Sequence, residues 1–128
     1  MMWLDLVTVL AVLQFLAFGI RVAQARTRFQ VKAPATSGHP QFERMYRVHM
    51  NTLELLVCLL PAVFLARDYW PPELVACGVV VYLIGRQVYL HAYLSKPESR
   101  TLGFALSVLP IVTMLLSVLV GVLLQGAE

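Results

Sequence analysis

The sequence predicts an all-α integral membrane protein, a bundle of four transmembrane helices that forms one domain over residues 1–128. Three observations carry that prediction. Apolar residues make up 59% of the chain and charged residues only 13%, whereas soluble domains run near 45–50% and about 25%. So few charges cannot clothe a water-soluble surface, and most of the outside must face lipid. Four apolar stretches, at about 3–25, 48–66, 72–94 and 102–124, each match the roughly 20 helical residues that cross a hydrocarbon core of about 30 Å. Polar connections separate them, and a bilayer offers no partners to open backbone groups, which leaves helices as the natural spanning form.

In the first stretch, Ala23-Gln24-Ala25 resembles a small-x-small cleavage site. The start of the chain, however, lacks a basic residue and carries Asp5, and Arg21 interrupts the apolar run ahead of that site. Residues 3–25 are therefore expected to be a retained helix, with Gln14 serving helix–helix packing. The connection 26–47 is polar and basic, with Lys32-Ala33-Pro34 and Thr36-Ser37-Gly38-His39-Pro40 as turn signals. After the second helix comes only Arg67-Asp68-Tyr69-Trp70-Pro71. Tyr69 and Trp70 suit an interfacial aromatic belt. Pro71 and Pro72 suit the first turn of the third helix, where a missing N–H costs little. Segment 95–101 leads into the fourth helix. Pro61 and Pro110 fall inside helices and are expected to kink them. Cys58 and Cys77 lie in apolar runs without any Cys/His ligand pattern, so packing is expected of them rather than a disulfide or a metal. No function is expected of His39 or His91.

The net charge of +3 matters less than its placement. The first connection and its flanks hold Arg21, Arg26, Arg28, Lys32, Arg44 and Arg47 against Glu43, and the third adds Lys96 and Arg100 against Glu98. The other side holds Asp5, Arg67, Asp68, Glu73 and Glu128. By the positive-inside rule the first and third connections are expected in the cytoplasm and both termini opposite.

Ionisable groups inside a span are costly and are functional candidates by default. Arg47, Asn51 and Glu54 are spaced by four and three, on one face of helix two. Tyr82, Arg86, Tyr89 and Tyr93 form a similar stripe on helix three. Both stripes fall in the same half of the bilayer, as do Arg26 at the end of helix one and Arg100 at the entrance to helix four. Two outcomes stay open. The residues line a pocket for a small, mostly anionic ligand that also carries a cation, with arginines forking onto carboxylates and Glu54 holding an ammonium. Alternatively, Arg47 and Glu54 pair with each other or with Arg86 as glue between helices. His49 belongs either to the headgroup level or to the site.

The run Phe42-Glu43-Arg44-Met45-Tyr46-Arg47-Val48-His49-Met50-Asn51-Thr52-Leu53-Glu54 resembles the signature of the MAPEG family, membrane-associated proteins in eicosanoid and glutathione metabolism. Its form, Arg-x-His-x-Asn-Thr-x-Glu, is most similar to microsomal glutathione transferase-like and bacterial members. A second block, from Gly85-Arg86-Gln87-Val88-Tyr89 through Tyr93 to Arg100-Thr101-Leu102-Gly103-Phe104, resembles the family's third helix and following loop. The resemblance implies a homotrimer of four-helix subunits that binds glutathione between subunits near the cytoplasmic face. Carried over, it implies glutathione contacts from Arg47, Asn51, Glu54, Tyr89 and Tyr93, and contacts from the neighbouring subunit's positions Arg26 and His49. It implies that Arg100 activates the thiol. Thr27 stands where several eicosanoid-making members have a second arginine, and Leu55-Leu56 where many have Tyr-Pro.

The implied activity is therefore a general glutathione transferase attacking hydrophobic electrophiles, with reduction of lipid hydroperoxides as a companion reaction. A non-catalytic lipid-binding or scaffold protein of the same fold is the alternative. Glutathione is the expected co-substrate, without a metal. The expected partners are glutathione, an apolar electrophile or lipid substrate, membrane lipids and further copies of the chain, with no nucleic acid.

Overall fold

The computed structural model describes residues 1–127. Four long helices run α1 Met2–Phe29, α2 Pro40–Tyr69, α3 Pro72–Ser95 and α4 Thr101–Gly126, with a single 3-10 turn at Pro97–Ser99. Each is long and apolar enough to cross a membrane.

The helices outrun the apolar stretches. α2 begins at Pro40, well before the apolar run opens at Val48. Hydropathy locates only the part in hydrocarbon, whereas the helix itself begins where its first turn is capped. His39 supplies that cap: its Nδ1 accepts from the Gln41 backbone N–H at 3.1 Å, and its ring stacks on Phe29 at 4.1 Å. Pro40 takes the first turn, where its missing N–H is harmless. α1 continues to Phe29 and ends with Gln30 in the left-handed region at φ 58°. The basic connection of 26–47 thus shrinks to a short loop between the end of α1 at Phe29 and the start of α2 at Pro40. Pro71 and Pro72 open α3 as expected.

α2 and α3 pack on each other, and α1 and α4 each pack on both. The core has two apolar clusters. One gathers Leu4, Leu59, Ala62, Val79, Ile111 and Met114 from all four helices. The other, toward the two basic connections, gathers Phe18, Val22, Phe42, Met45, Val48 and Leu90. Between them lies a polar layer made by Asn51, Thr52, Arg86 and Ser107, all buried. α1 is tied to α3 by Gln14, whose Nε2 donates to the Leu83 carbonyl at 3.0 Å, the helix–helix role expected of it.

Outward-facing leucines, valines and phenylalanines cover the rest, as a lipid-facing surface requires. Cys58 and Cys77 join that surface. Both are exposed, contrary to the expected packing role. Apolar neighbours mark lipid-facing positions as much as core ones, so hydropathy could not separate the two.

Small residues let α3 and α4 approach closely, as in membrane bundles generally. A Cβ on Gly85 would come within 2.7 Å of the Ser107 backbone nitrogen. One on Gly103 would overlap the backbone nitrogen and Cα of Tyr89. Because that neighbour is backbone, Gly103→Ala is expected to lower unfolding stability in detergent by about 1–3 kcal/mol, as overpacking does. Gly126→Ala, with nothing within 4 Å of the added methyl, should leave the thermal midpoint unchanged or slightly raised. Equal midpoints for the two variants would exclude the close approach.

Candidate functional site

The candidate site is organised around a guanidinium. Arg86 is 0% exposed, and among the described residues no carboxylate pairs with it. Its charge is spread over neutral acceptors on two other helices. Nε donates to Ser107 Oγ at 2.8 Å. Nη1 donates to Asn51 Oδ1 at 2.8 Å and to Thr52 Oγ1 at 3.2 Å. The two hydroxyls can accept because each spends its own hydrogen on its helix. Ser107 donates to the Gly103 carbonyl at 2.7 Å, and Thr52 to the Val48 carbonyl at 2.8 Å. A hydroxyl has one donor and two lone pairs, so both roles are compatible. The guanidinium also covers the Tyr89 ring, 4.4 Å from its centroid. Arg86 Nη2 and the Tyr82 hydroxyl remain without a protein partner.

This hub decides the fate of Asn51. The spacing of four and three put it on the face of Arg47 and Glu54. In the structure it is 7% exposed and turns its carbonyl oxygen inward to Arg86. Arg47 and Glu54 point outward, with side chains 55% and 57% exposed, and their charged groups lie 3.5 Å apart. Of the two pairings left open by the sequence, Arg47 therefore takes Glu54, and Arg86 takes neither.

Tyr89 links this face to α4. Its ring stacks on Tyr93 at 5.5 Å and leans on Phe104 at 6.4 Å. Arg47 and Arg100 both lie close enough to Tyr89 to interact with it electrostatically. Arg100 reaches this position because Gly103 draws the first turn of α4 onto the Tyr89 backbone. Arg100 itself is exposed, and its Nη1 donates only to the Pro97 carbonyl at 3.1 Å. One end of the α2–α3–α4 face thus carries Arg47, Glu54, Tyr89, Tyr93 and Arg100. It offers two cations, a carboxylate and two phenols.

Arg26 and His49 are not part of that gathering. Arg26 donates to the Ala35 carbonyl at 2.7 Å and lies over the Phe42 ring at 4.7 Å. His49 turns toward α1, stacked on Phe15 at 4.5 Å and close against Gly19. The chain therefore presents two separate polar faces.

The clefts of the isolated chain lie elsewhere again. An apolar one of about 510 Å³ opens between α3 and α4 beside Trp70, Cys77, Gly78 and Pro110. Among the described residues, no group of three His, Cys, Asp or Glu side chains comes together to hold a metal.

Sequence reasoning missed the organising role of Arg86. The stripe to which it belongs was visible. Of its partners, Thr52 stands in the sequence only as part of the family signature, and Ser107 as a single hydroxyl in an apolar run. Ser107→Ala removes a buried acceptor from a cation and is expected to cost about 1–3 kcal/mol. Ser95→Ala, which removes an exposed hydroxyl bonded to its own helix, should stay within about 0.5 kcal/mol of the parent. Unfolding followed by loss of helical signal in detergent compares the two.

The chain is similar to known proteins over most of its length. The MAPEG family model matches residues 4–120. An uncharacterised protein of Synechocystis sp. is 38% identical over 125 residues, covering 98% of this chain and 91% of that protein. Microsomal glutathione S-transferase 2 of Homo sapiens is 32% identical, over 85% of this chain and 76% of its own length. Leukotriene C4 synthase of Bos taurus is 34% identical, over 73% of this chain and 63% of its own length.

Proposed function

From the premise that this chain belongs to the MAPEG family, we propose that it is a membrane-bound glutathione transferase. The observation that carries the proposal is the exposed Arg47–Glu54 pair beside Tyr89, Tyr93 and Arg100. Two charged side chains on the outer face of a spanning helix are costly against lipid, so that face needs a polar partner. Glutathione has the complementary groups: two carboxylates, one ammonium and one thiol. Arg47 would fork onto a carboxylate, and Glu54 would take the ammonium. Tyr89 and Tyr93 would complete the binding wall, while Asn51, turned inward to Arg86, would hold that wall from behind. Two relatives, one a glutathione S-transferase by name, support a role of this class.

The chemistry needs a thiolate. A free thiol of this kind has a pKa near 8.5, so only a few per cent is ionised at pH 7. Arg100 beside the sulfur would favour the charged form and lower that pKa by roughly 1–3 units. The thiolate would then attack an apolar electrophile arriving through the bilayer. The same thiolate would reduce a lipid hydroperoxide to the alcohol, with a second glutathione completing the disulfide and water as the other product.

Removing Arg100 returns the thiol to its ordinary pKa. The thiolate lost at pH 7 then reappears as pH rises toward about 8.5. Arg100→Ala is accordingly expected to lower turnover of a chromogenic electrophile at pH 7 by about tenfold or more, with the deficit shrinking at higher pH. Full activity at pH 7 in that variant would falsify the thiolate role. Glutathione binding with no turnover of any electrophile points instead to a non-catalytic member of the fold.

The separation of Arg26 and His49 from the Arg47 face supports a site shared between copies, and we propose a homotrimer. In that arrangement Arg26 and His49 of one subunit complete the site of the next. The basic connections would face the cytoplasm, where glutathione is supplied. Co-expression tests the sharing. Arg26→Ala and Arg47→Ala chains should each be impaired alone. Mixed at random, about a quarter of the interfaces regain both arginines, and a matching fraction of activity should return. No recovery in mixed assemblies would place both residues in one subunit's site.

A further inference from the structure

Away from the Arg47 face, a second basic feature stands at the same end of the bundle. A cleft of about 190 Å³ is lined by Arg21, Gln24 and Arg28 of α1 and by Gln41 of α2, over a floor that includes Met45 and Leu94. Arg21 and Arg28 are exposed, and among the described residues neither pairs with a carboxylate. Beside the floor, Arg44 donates to the Leu94 and Ser95 carbonyls at 3.0 and 3.4 Å, which adds a third positive charge nearby. None of these residues has a place in the glutathione chemistry above.

The cleft continues an apolar stripe. Leu6, Leu10, Leu13 and Ala17 are exposed and recur every three or four residues, so they share one face of α1. The next members of that series are Arg21, Gln24 and Arg28, also exposed. The exposed apolar stripe thus turns basic at its end. Seven residues separate the two arginines, about 10 Å along the axis. A headgroup layer is roughly 5–8 Å deep on each side of the hydrocarbon, so the pair spans that layer. Arginine side chains whose stems lie along apolar surface place their charge at this level.

We propose that this cleft binds the phosphate of an anionic phospholipid, whose acyl chains lie along the Leu6–Ala17 stripe of α1. Guanidinium groups fork onto phosphate oxygens, and basic pockets between helices at a membrane surface take such headgroups. The size favours a lipid over a soluble ligand. At about 190 Å³ the cleft is smaller than the roughly 300–1,000 Å³ of ordinary ligand pockets. It holds a headgroup whose anchoring area lies outside it. The charge favours an anionic lipid over a zwitterionic one. A zwitterionic headgroup brings its own ammonium, and no carboxylate lines the cleft to receive it.

The test uses the purified full chain in detergent, titrated with dioleoylphosphatidylglycerol, with dioleoylphosphatidylcholine and with inorganic phosphate, bound molecules being counted by native mass spectrometry. Phosphatidylglycerol should bind more tightly than phosphatidylcholine. Each arginine near a membrane surface contributes about fivefold to such affinity, so Arg21→Gln with Arg28→Gln should weaken phosphatidylglycerol about 25-fold and leave phosphatidylcholine unchanged. Arg67→Gln with Lys96→Gln removes the same charge elsewhere and should leave the preference intact. An equal loss in that control overturns the site in favour of general charge attraction. Displacement of phosphatidylglycerol by inorganic phosphate at comparable concentration overturns the lipid in favour of a soluble anion.

Discussion

A guanidinium in the middle of a membrane bundle must find acceptors within the protein, because the bilayer supplies none. Arg86 finds them on α2 and α4 at once, through Asn51, Thr52 and Ser107. Apolar packing in lipid gives little preference for one helix register over another, since lipid tails are as apolar as leucine. Hydrogen bonds to a buried cation do give one: a shift of either neighbour by a single turn would leave the charge without partners. The two apolar clusters therefore meet at a polar layer that sets the relative heights of three helices.

That layer also sets the candidate site. With Asn51 turned inward, its neighbours at the three- and four-residue spacings, Arg47 and Glu54, are left on the outer face. The same guanidinium lies on Tyr89 and holds its ring near Tyr93. Gly103 then seats the first turn of α4 on the Tyr89 backbone and brings Arg100 to the same end. The arginines are thus divided by exposure. Arg86 is enclosed and committed to the fold, while Arg47 and Arg100 are exposed. The basic cleft at Arg21 and Arg28 lies at this same end but on the flank of α1. One charge asymmetry along the chain accordingly feeds two separate surfaces.

The four spans were legible in the sequence because the length needed to cross hydrocarbon is fixed and any apolar run of that length declares itself. The polar stripes were legible because helical spacing puts residues three and four apart on one face. Arg47, Glu54, Tyr89, Tyr93 and Arg100 could be gathered at one end by counting turns and crossings alone. The sequence by itself also carried the family signature between Phe42 and Phe104.

Other features depended on which side of each helix meets a neighbour, and that is a property of packing. Spacing could not say that Asn51 faces Arg86 while Arg47 and Glu54 face outward. Nor could it show that His49 turns to Phe15, or that Cys58 and Cys77 lie on the outside. In a soluble protein, hydrophobicity marks the buried face, and such choices can be read from the pattern. In a membrane protein both faces are apolar, so the pattern is silent. Only the tertiary structure, through the few polar groups that must find partners, decides which face is in.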